Sequence, residues 1–247
     1  MADPGIQEGL GGSVSNLKDA YARWHSRLSG SPHVYPSEWI VRTFLGEYPD
    51  LLADRLPIRP GSRALDIGFG DGRNWPLLNN CGLSIAGVEI DERIVSLGYE
   101  RARFMSLECN LKVGFAHSLP FPDSTFDVAV AANSFYYLVD DVPFENHLIE
   151  LSRVCRPGGF FVGTLPQAAL HFFSQNAEPL GNGSYRILND SHGLRNGSEM
   201  RLFTDEHDVR QTFDSVLDNL SVAEYKADLY GYNLAMYVVC GNIRIPD

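Results

Sequence analysis

Three glycines, Gly68, Gly70 and Gly72, alternate with other residues at the end of an apolar run in 64–74, ALDIGFGDGRN. Glycine lets a backbone turn sharply and approach a ligand closely. A strand that ends in such a loop before a helix is a place to hold a nucleotide-like cofactor. The dinucleotide fingerprint sets its third glycine one position later, where a small side chain lets helix and strand pack together. Position 73 is Arg73, which argues against a dinucleotide. Asp66 sits near the end of the loop's own strand. About twenty residues beyond the loop, GVEID places Glu89 where a carboxylate can accept hydrogen bonds from both hydroxyls of a ribose.

These residues need strands on either side of the loop and helices to close it. Short apolar runs predict strands over 63–67, 84–89, 112–116, 126–131 and 160–165, with helices over 73–80, 92–106 and 144–156 between them. This alternation predicts an α/β fold: a Rossmann-like, doubly wound sheet with helices on both faces. The segment CRPGG, 155–159, reads as a helix end and glycine turn before the fifth strand. Two last runs, 221–226 and 235–241, bring the mostly parallel sheet to seven strands. Ahead of it, helices over 16–28 and from Pro36 onward form an N-terminal helical cap, 16–60, with prolines at 57 and 60 marking the joint. Residues 1–15 read as a flexible leader and 61–247 as the main domain. Between 166 and 202, after strand five, periodicity fails in a stretch rich in Gly, Asn and Ser. That is too long for an ordinary connection, and insertions at a sheet's ligand edge commonly act as lids. Thr204 reads as the N-cap of a further helix.

Bulk properties narrow the partners. A formal net charge of −11 disfavours a nucleic-acid substrate and an anionic membrane surface. Cys81, Cys109, Cys155 and Cys240 are scattered without a CxxC pair, so no metal site is expected and the thiols read as reduced. The first residues lack the basic start and apolar core of a secretion signal, and no apolar run is long enough for a membrane span. The expected location is cytoplasmic.

The segment 113–138, VGFAHSLPFPDSTFDVAVAANSFYYL, joins ALDIGFGDGRN, GVEID and LSRVCRPGGFFVGT in an order and spacing that resembles class I S-adenosylmethionine-dependent methyltransferases. The small-molecule subset related to ubiquinone biosynthesis is most similar. The resemblance implies S-adenosylmethionine as methyl donor and S-adenosylhomocysteine as product. It also implies residue roles. Asp66 would orient the glycine loop and the methionine end, while Gly68, Gly70 and Gly72 would admit the methionine and ribose. Glu89 would hold the ribose diol, Ile90 would pack on the adenine, and Phe115, Ala116 and His117 would flank the purine. Asn133 would line the floor near the transferred methyl, a catalytic position. The family often carries Asp where this chain has Phe115, so either another group accepts from the adenine amino group, with His117 the candidate, or adenine recognition is more apolar, with Phe115 packing on the ring.

Methyl transfer needs alignment more than a dedicated catalytic group, and a base only where the acceptor is poorly ionised. The histidines considered for that role are His25, His33, His117, His171 and His192. His171 stands out as the catalytic and substrate-contact candidate because it follows the fifth strand. Tyr21, Trp24, Tyr136, Tyr137 and Tyr185 are the aromatic candidates for the acceptor wall. The expected acceptor is an oxygen or nitrogen of a small molecule, such as a sugar or a secondary-metabolite intermediate, and the expected assembly is a monomer or homodimer. Two other readings use the same fold. One is a non-catalytic cofactor-binding regulatory or scaffold subunit, which Phe115 favours. The other is an aminopropyltransferase that would draw on Asp140 and Asp141 for a polyamine.

Overall fold

The central apolar runs are strands covered on both faces. In β1 (Arg63–Ile67), Leu65 and Ile67 enter one core and Ala64 the other. In β4 (Phe126–Ala131), Ala129 and Ala131 join the first core, while Val128 and Val130 join the second. This is the period-two alternation of a strand buried on each side, so the sheet divides two hydrophobic layers. The computed structural model describes residues 14–28, 35–54, 59, 61–139, 141–173 and 177–245. Most of the 1–15 leader, His33, Pro57, Pro60 and Asp140 lie outside the described residues.

The remaining strands of this sheet are β2 (Ser84–Glu89), β3 (Cys109–Val113), β6 (Cys155–Pro166), β10 (Leu217–Leu229) and β11 (Tyr232–Ile243). They are ordered β3-β2-β1-β4-β6-β11-β10. Only the pairings of β11 with β6 and with β10 are antiparallel, so six strands run one way and β11 opposes them. Helix α5 (Glu145–Val154) and α6 (Glu206–Phe213) cover the first core. Helices α2 (Glu38–Leu45), α3 (Trp75–Asn80) and α4 (Glu92–Phe104) cover the second, and α1 (Val14–Leu28) reaches it through Ala22. The seven-stranded, doubly wound sheet expected above is therefore the observed one.

Several boundaries differ for physical reasons. Strand β3 lies three residues earlier than predicted, because the chain leaves the sheet at Gly114. There the Gly114 N–H bonds the Glu89 carbonyl, and Pro120 approaches to 2.7 Å of where a Cβ would stand. CRPGG is not a turn. It lies inside β6 as a bulge, Cys155 facing Phe126 and Phe160 facing Val128, with Gly158 at φ +77° and Arg156 bound to Asp127 at 2.5 Å. Asp205, not Thr204, caps α6, accepting from the Asp208 N–H at 2.8 Å.

The stretch after β6 has a sheet of its own. Strands β7 (Ala177–Gly181), β8 (Ser184–Ile187) and β9 (Glu199–Arg201) join β5 (Tyr137–Leu138) in the order β5-β9-β8-β7. The β7–β8 hairpin turns on Asn182 and Gly183, with φ of +51° and +71°. That is the left-handed pair a two-residue hairpin requires. A Cβ on Gly183 would stand 1.9 Å from Nη1 of Arg201, whose guanidinium is held by Asp208. Gly158, by contrast, has nothing within 4 Å of the equivalent point. Gly158→Ala should cost about 1–2 kcal/mol through its backbone alone, and Gly183→Ala more, as thermal unfolding will measure. Equal costs would mean Arg201 yields freely.

Candidate active site

The strand order reverses at β1, which has β2 on one side and β4 on the other. Crevices form at such switch points, beyond the carboxyl ends of the strands. A cavity of about 260 Å³ fills this one. Its floor is held by two loops in tight contact. A Cβ on Gly68 (φ +67°) would lie 2.4 Å from Cβ of Ser134, and the Ser134 hydroxyl donates to the Ile67 carbonyl. Asn133 takes a left-handed φ of +58°. Its N–H donates to Oγ1 of Thr164 at 2.9 Å, and that hydroxyl donates back to Asn133 Oδ1 at 3.0 Å.

Glu89 stands at the cavity wall where β2 ends. Its Oε1 accepts the Gly70 N–H at 3.0 Å and its Oε2 the Ile90 N–H at 2.9 Å. Each oxygen retains acceptor capacity. Burial raises its pKa, against the pull of those two N–H groups. Next to it Ile90, Phe115, Ala116 and His117 form a mostly apolar recess. The Phe115 and His117 rings stack 5.3 Å apart, and His117 in turn stacks at 6.0 Å on His147. His147 is completely buried, its Nδ1 bonded to the Phe135 carbonyl at 2.7 Å, and burial lowers its pKa to about 4.

Helix α1 crosses the mouth. Lys18 Nζ lies 5.2 Å from the centre of the Phe115 ring. One turn on, the Tyr21 hydroxyl hydrogen-bonds that of Tyr137. A further turn brings His25 against the glycine loop, with Cε1 3.0 Å from where a Gly70 Cβ would be. Spacing of three and four residues puts these side chains on one helical face. Arg93, at the start of α4, binds Asp19 at 2.7 Å on the same helix.

Residues 65–163 match the methyltransferase domain family model. The chain is 34% identical over 114 residues to 27-O-demethylrifamycin SV methyltransferase of Amycolatopsis mediterranei, covering 44% of this chain and 40% of that one. Residues 65–163 thus carry a methyltransferase domain, in keeping with the class I S-adenosylmethionine-dependent methyltransferases. Solved structures share the fold. A S-adenosylmethionine-dependent methyltransferase from Methanosarcina mazei aligns with a TM-score of 0.61 at 22% identity, covering 81% of this chain and 99% of that one. A Burkholderia thailandensis 1,6-didemethyltoxoflavin N1-methyltransferase, solved with its substrate and S-adenosylhomocysteine, aligns at 0.59 and 14% identity, over 94% and 87% of the two chains. The chain spans less than half the length of the curated relatives it matches.

The cavity gathers most of the residues singled out in the sequence. Gly68, Gly70, Glu89, Ile90, Phe115, Ala116, His117 and Asn133 line it, as do Tyr21, Trp24 and Tyr137. Gly72 does not; it makes room for Trp75, whose ring would lie 2.5 Å from its Cβ. Tyr136 stands outside the lining, its ring stacked 5.1 Å from that of Tyr137 and buried in a cluster with Phe172, Phe173 and Met200. Tyr185 packs against the same cluster. His171 lies outside the lining, its ring 3.9 Å from that of Tyr232 and its Nδ1 3.2 Å from the Asn233 carbonyl. His192 touches Trp24 from outside. Asp141 is exposed, away from the cavity. Sequence reasoning missed Leu194 and Arg195, which enter from the 166–202 segment, and Ser37, Asn74 and Ser134.

Asp66 lies behind the floor at 1% exposure. Burial raises its pKa to about 7, and the Trp75 indole N–H only partly opposes this. No well-formed hydrogen bond reaches either oxygen among the described residues. A carboxylate placed so wants positive charge, and S-adenosylmethionine carries it on both sulfonium and ammonium, so the site fits the family's cofactor. In the folded chain Asp66 keeps a proton that the unfolded chain releases near pH 3.8. Its contribution to stability therefore falls as pH rises from about 4 to about 7. Without cofactor, Asp66→Asn should melt above the wild type at about pH 8, the gap closing toward about pH 4. Identical melting across this range would rule out burial of Asp66 as a stability cost.

Proposed function

We propose that the protein transfers a methyl group from S-adenosylmethionine to an oxygen or nitrogen of a small-molecule acceptor. The observation that carries this reading is Glu89, fixed by two backbone N–H groups at the switch point with acceptor capacity left for a ribose diol. Gly68 and Gly70 give backbone access, Asp66 supplies negative charge beneath the methionine end, and Ile90, Phe115, Ala116 and His117 receive the purine. When bound, the cofactor supplies an electrophilic methyl, and the protein's task is alignment and exclusion of water.

Helix α1 and the 166–202 segment supply that exclusion as a lid, meeting where Tyr21, Tyr137 and Arg195 converge. Where the acceptor has a proton to lose, His25 is placed to take it. It lines the cavity, its buried Nδ1 has no hydrogen-bond partner among the described residues, and burial lowers its pKa so that it is neutral at pH 7. Small-molecule acceptors fit a cavity of this size beneath α1 better than a polymer does. The rifamycin enzyme among its relatives is named for such an acceptor.

Titration calorimetry should show S-adenosylhomocysteine binding to the wild type, weakened roughly a hundredfold by Glu89→Ala through loss of charge-assisted hydrogen bonds. Affinity should also fall as pH drops through the raised pKa of Glu89, because only the ionised form accepts both hydroxyls. A well-folded wild type that binds no S-adenosylhomocysteine would sink the reading.

A further inference from the structure

Arg195 has two of its guanidinium nitrogens committed and the third open. It comes from the loop between β8 and β9 and lines the acceptor end of the cavity. Nε donates to the Tyr137 hydroxyl at 3.2 Å, and Nη1 donates to Asp190 Oδ2 at 3.1 Å. The guanidinium carbon sits 4.7 Å from the centre of the Phe172 ring, which fixes its plane. Nη2 makes no hydrogen bond or ion pair among the described residues. Asp190 does not cancel the charge alone, because its Oδ2 also accepts the Leu194 and Arg195 N–H groups at 3.1 and 3.2 Å. The cavity's other arginine, Arg73, is closed on Asp71 through Nε at 2.9 Å and Nη2 at 2.6 Å. The same cavity is lined by Tyr21, Trp24, Tyr137 and Leu194, which give it an apolar and aromatic wall.

A guanidinium held in place in a low-dielectric recess, with the N–H groups of its third nitrogen free, favours an anion such as a carboxylate. We infer that the acceptor is a compact, largely apolar or aromatic molecule bearing a carboxylate, and that Arg195 determines this specificity. The inference rests on the methyl-transfer reading and names its substrate class. Glu89 lies at the ribose end with its oxygens on backbone N–H groups, so it does not compete for this nitrogen.

The test uses the full chain saturated with S-adenosylhomocysteine and titrated with benzoate and with benzamide, which differ in charge but little in shape. Benzoate should bind the wild type more tightly than benzamide, and Arg195→Gln should weaken benzoate roughly ten- to a hundredfold. Affinity for S-adenosylhomocysteine should not change in the variant. The wild-type comparison stands even if the variant does not fold. Benzoate binding no better than benzamide, including no binding of either at millimolar concentration, overturns the inference. So does an Arg195→Gln variant that loses S-adenosylhomocysteine but keeps 5′-methylthioadenosine, since Arg195 would then hold the donor's own carboxylate. Failure of the wild type to bind S-adenosylhomocysteine would instead overturn the methyl-transfer reading.

Discussion

Everything at the site depends on how closely two loops approach. With no side chain at position 68, the turn after β1 presses onto Ser134 beyond β4, and the Ser134 hydroxyl ties back to the Ile67 carbonyl. A Cβ there would lie 2.4 Å from its neighbour, a distance no packed pair tolerates. The contact sets the depth of the cavity between β1 and β4. It also sets the line from which Gly70 reaches Glu89 and Asn133 reaches Thr164. Two buried acids, Asp66 and Glu89, flank this turn, and both are held toward their protonated forms by burial. The floor thus stores an electrostatic cost that a cationic ligand relieves.

The roof is built differently. Helix α1 has Ala22 as its one fully buried residue among those described, with Tyr21 packed beside it, yet it spans the mouth from Phe115 to Gly70. Its hold comes from polar and ring contacts: Asp19 with Arg93, Tyr21 with Tyr137, Trp24 with His192. Exposed ion pairs contribute little individually. A helix attached in this way can part from the cavity without disturbing either hydrophobic layer.

The sheet was legible because its strands alternate cleanly between two cores. Strands β1, β2 and β4 fall where the apolar runs end, and the glycine loop, Glu89 and the recess at Phe115–His117 follow from them. Strand β3 was harder, since Cys109 and Asn110 hide an edge strand and Phe115 imitates its continuation. The second sheet has strands of two to five residues with mixed burial, too short for periodicity, although Asn182–Gly183 is a hairpin signal in its own right. Tyr136 and Tyr137 are adjacent and their rings stack 5.1 Å apart, yet only Tyr137 lines the cavity, while Tyr136 is buried in the cluster around Met200. No alternation in the sequence separates the two. Arg195 reaches the site through contacts nearly sixty positions away in the chain, with Tyr137, and no local pattern marks it.

Tyr137 belongs as much to the 166–202 segment as to the loop after β4. It faces Met200 across the β5–β9 pair, Leu138 faces Glu199, and the Arg201 N–H bonds the Tyr136 carbonyl. The segment is therefore stitched into the cavity wall by main-chain hydrogen bonds rather than laid over it. As a unit of inheritance or of engineering, it is discontinuous. A graft from another family member that replaced 167–202 alone would bring one edge of a sheet to a β5 shaped for a different partner. Residues 136–138 have to travel with it, so reshaping this wall of the cavity takes a linked exchange of two chain segments.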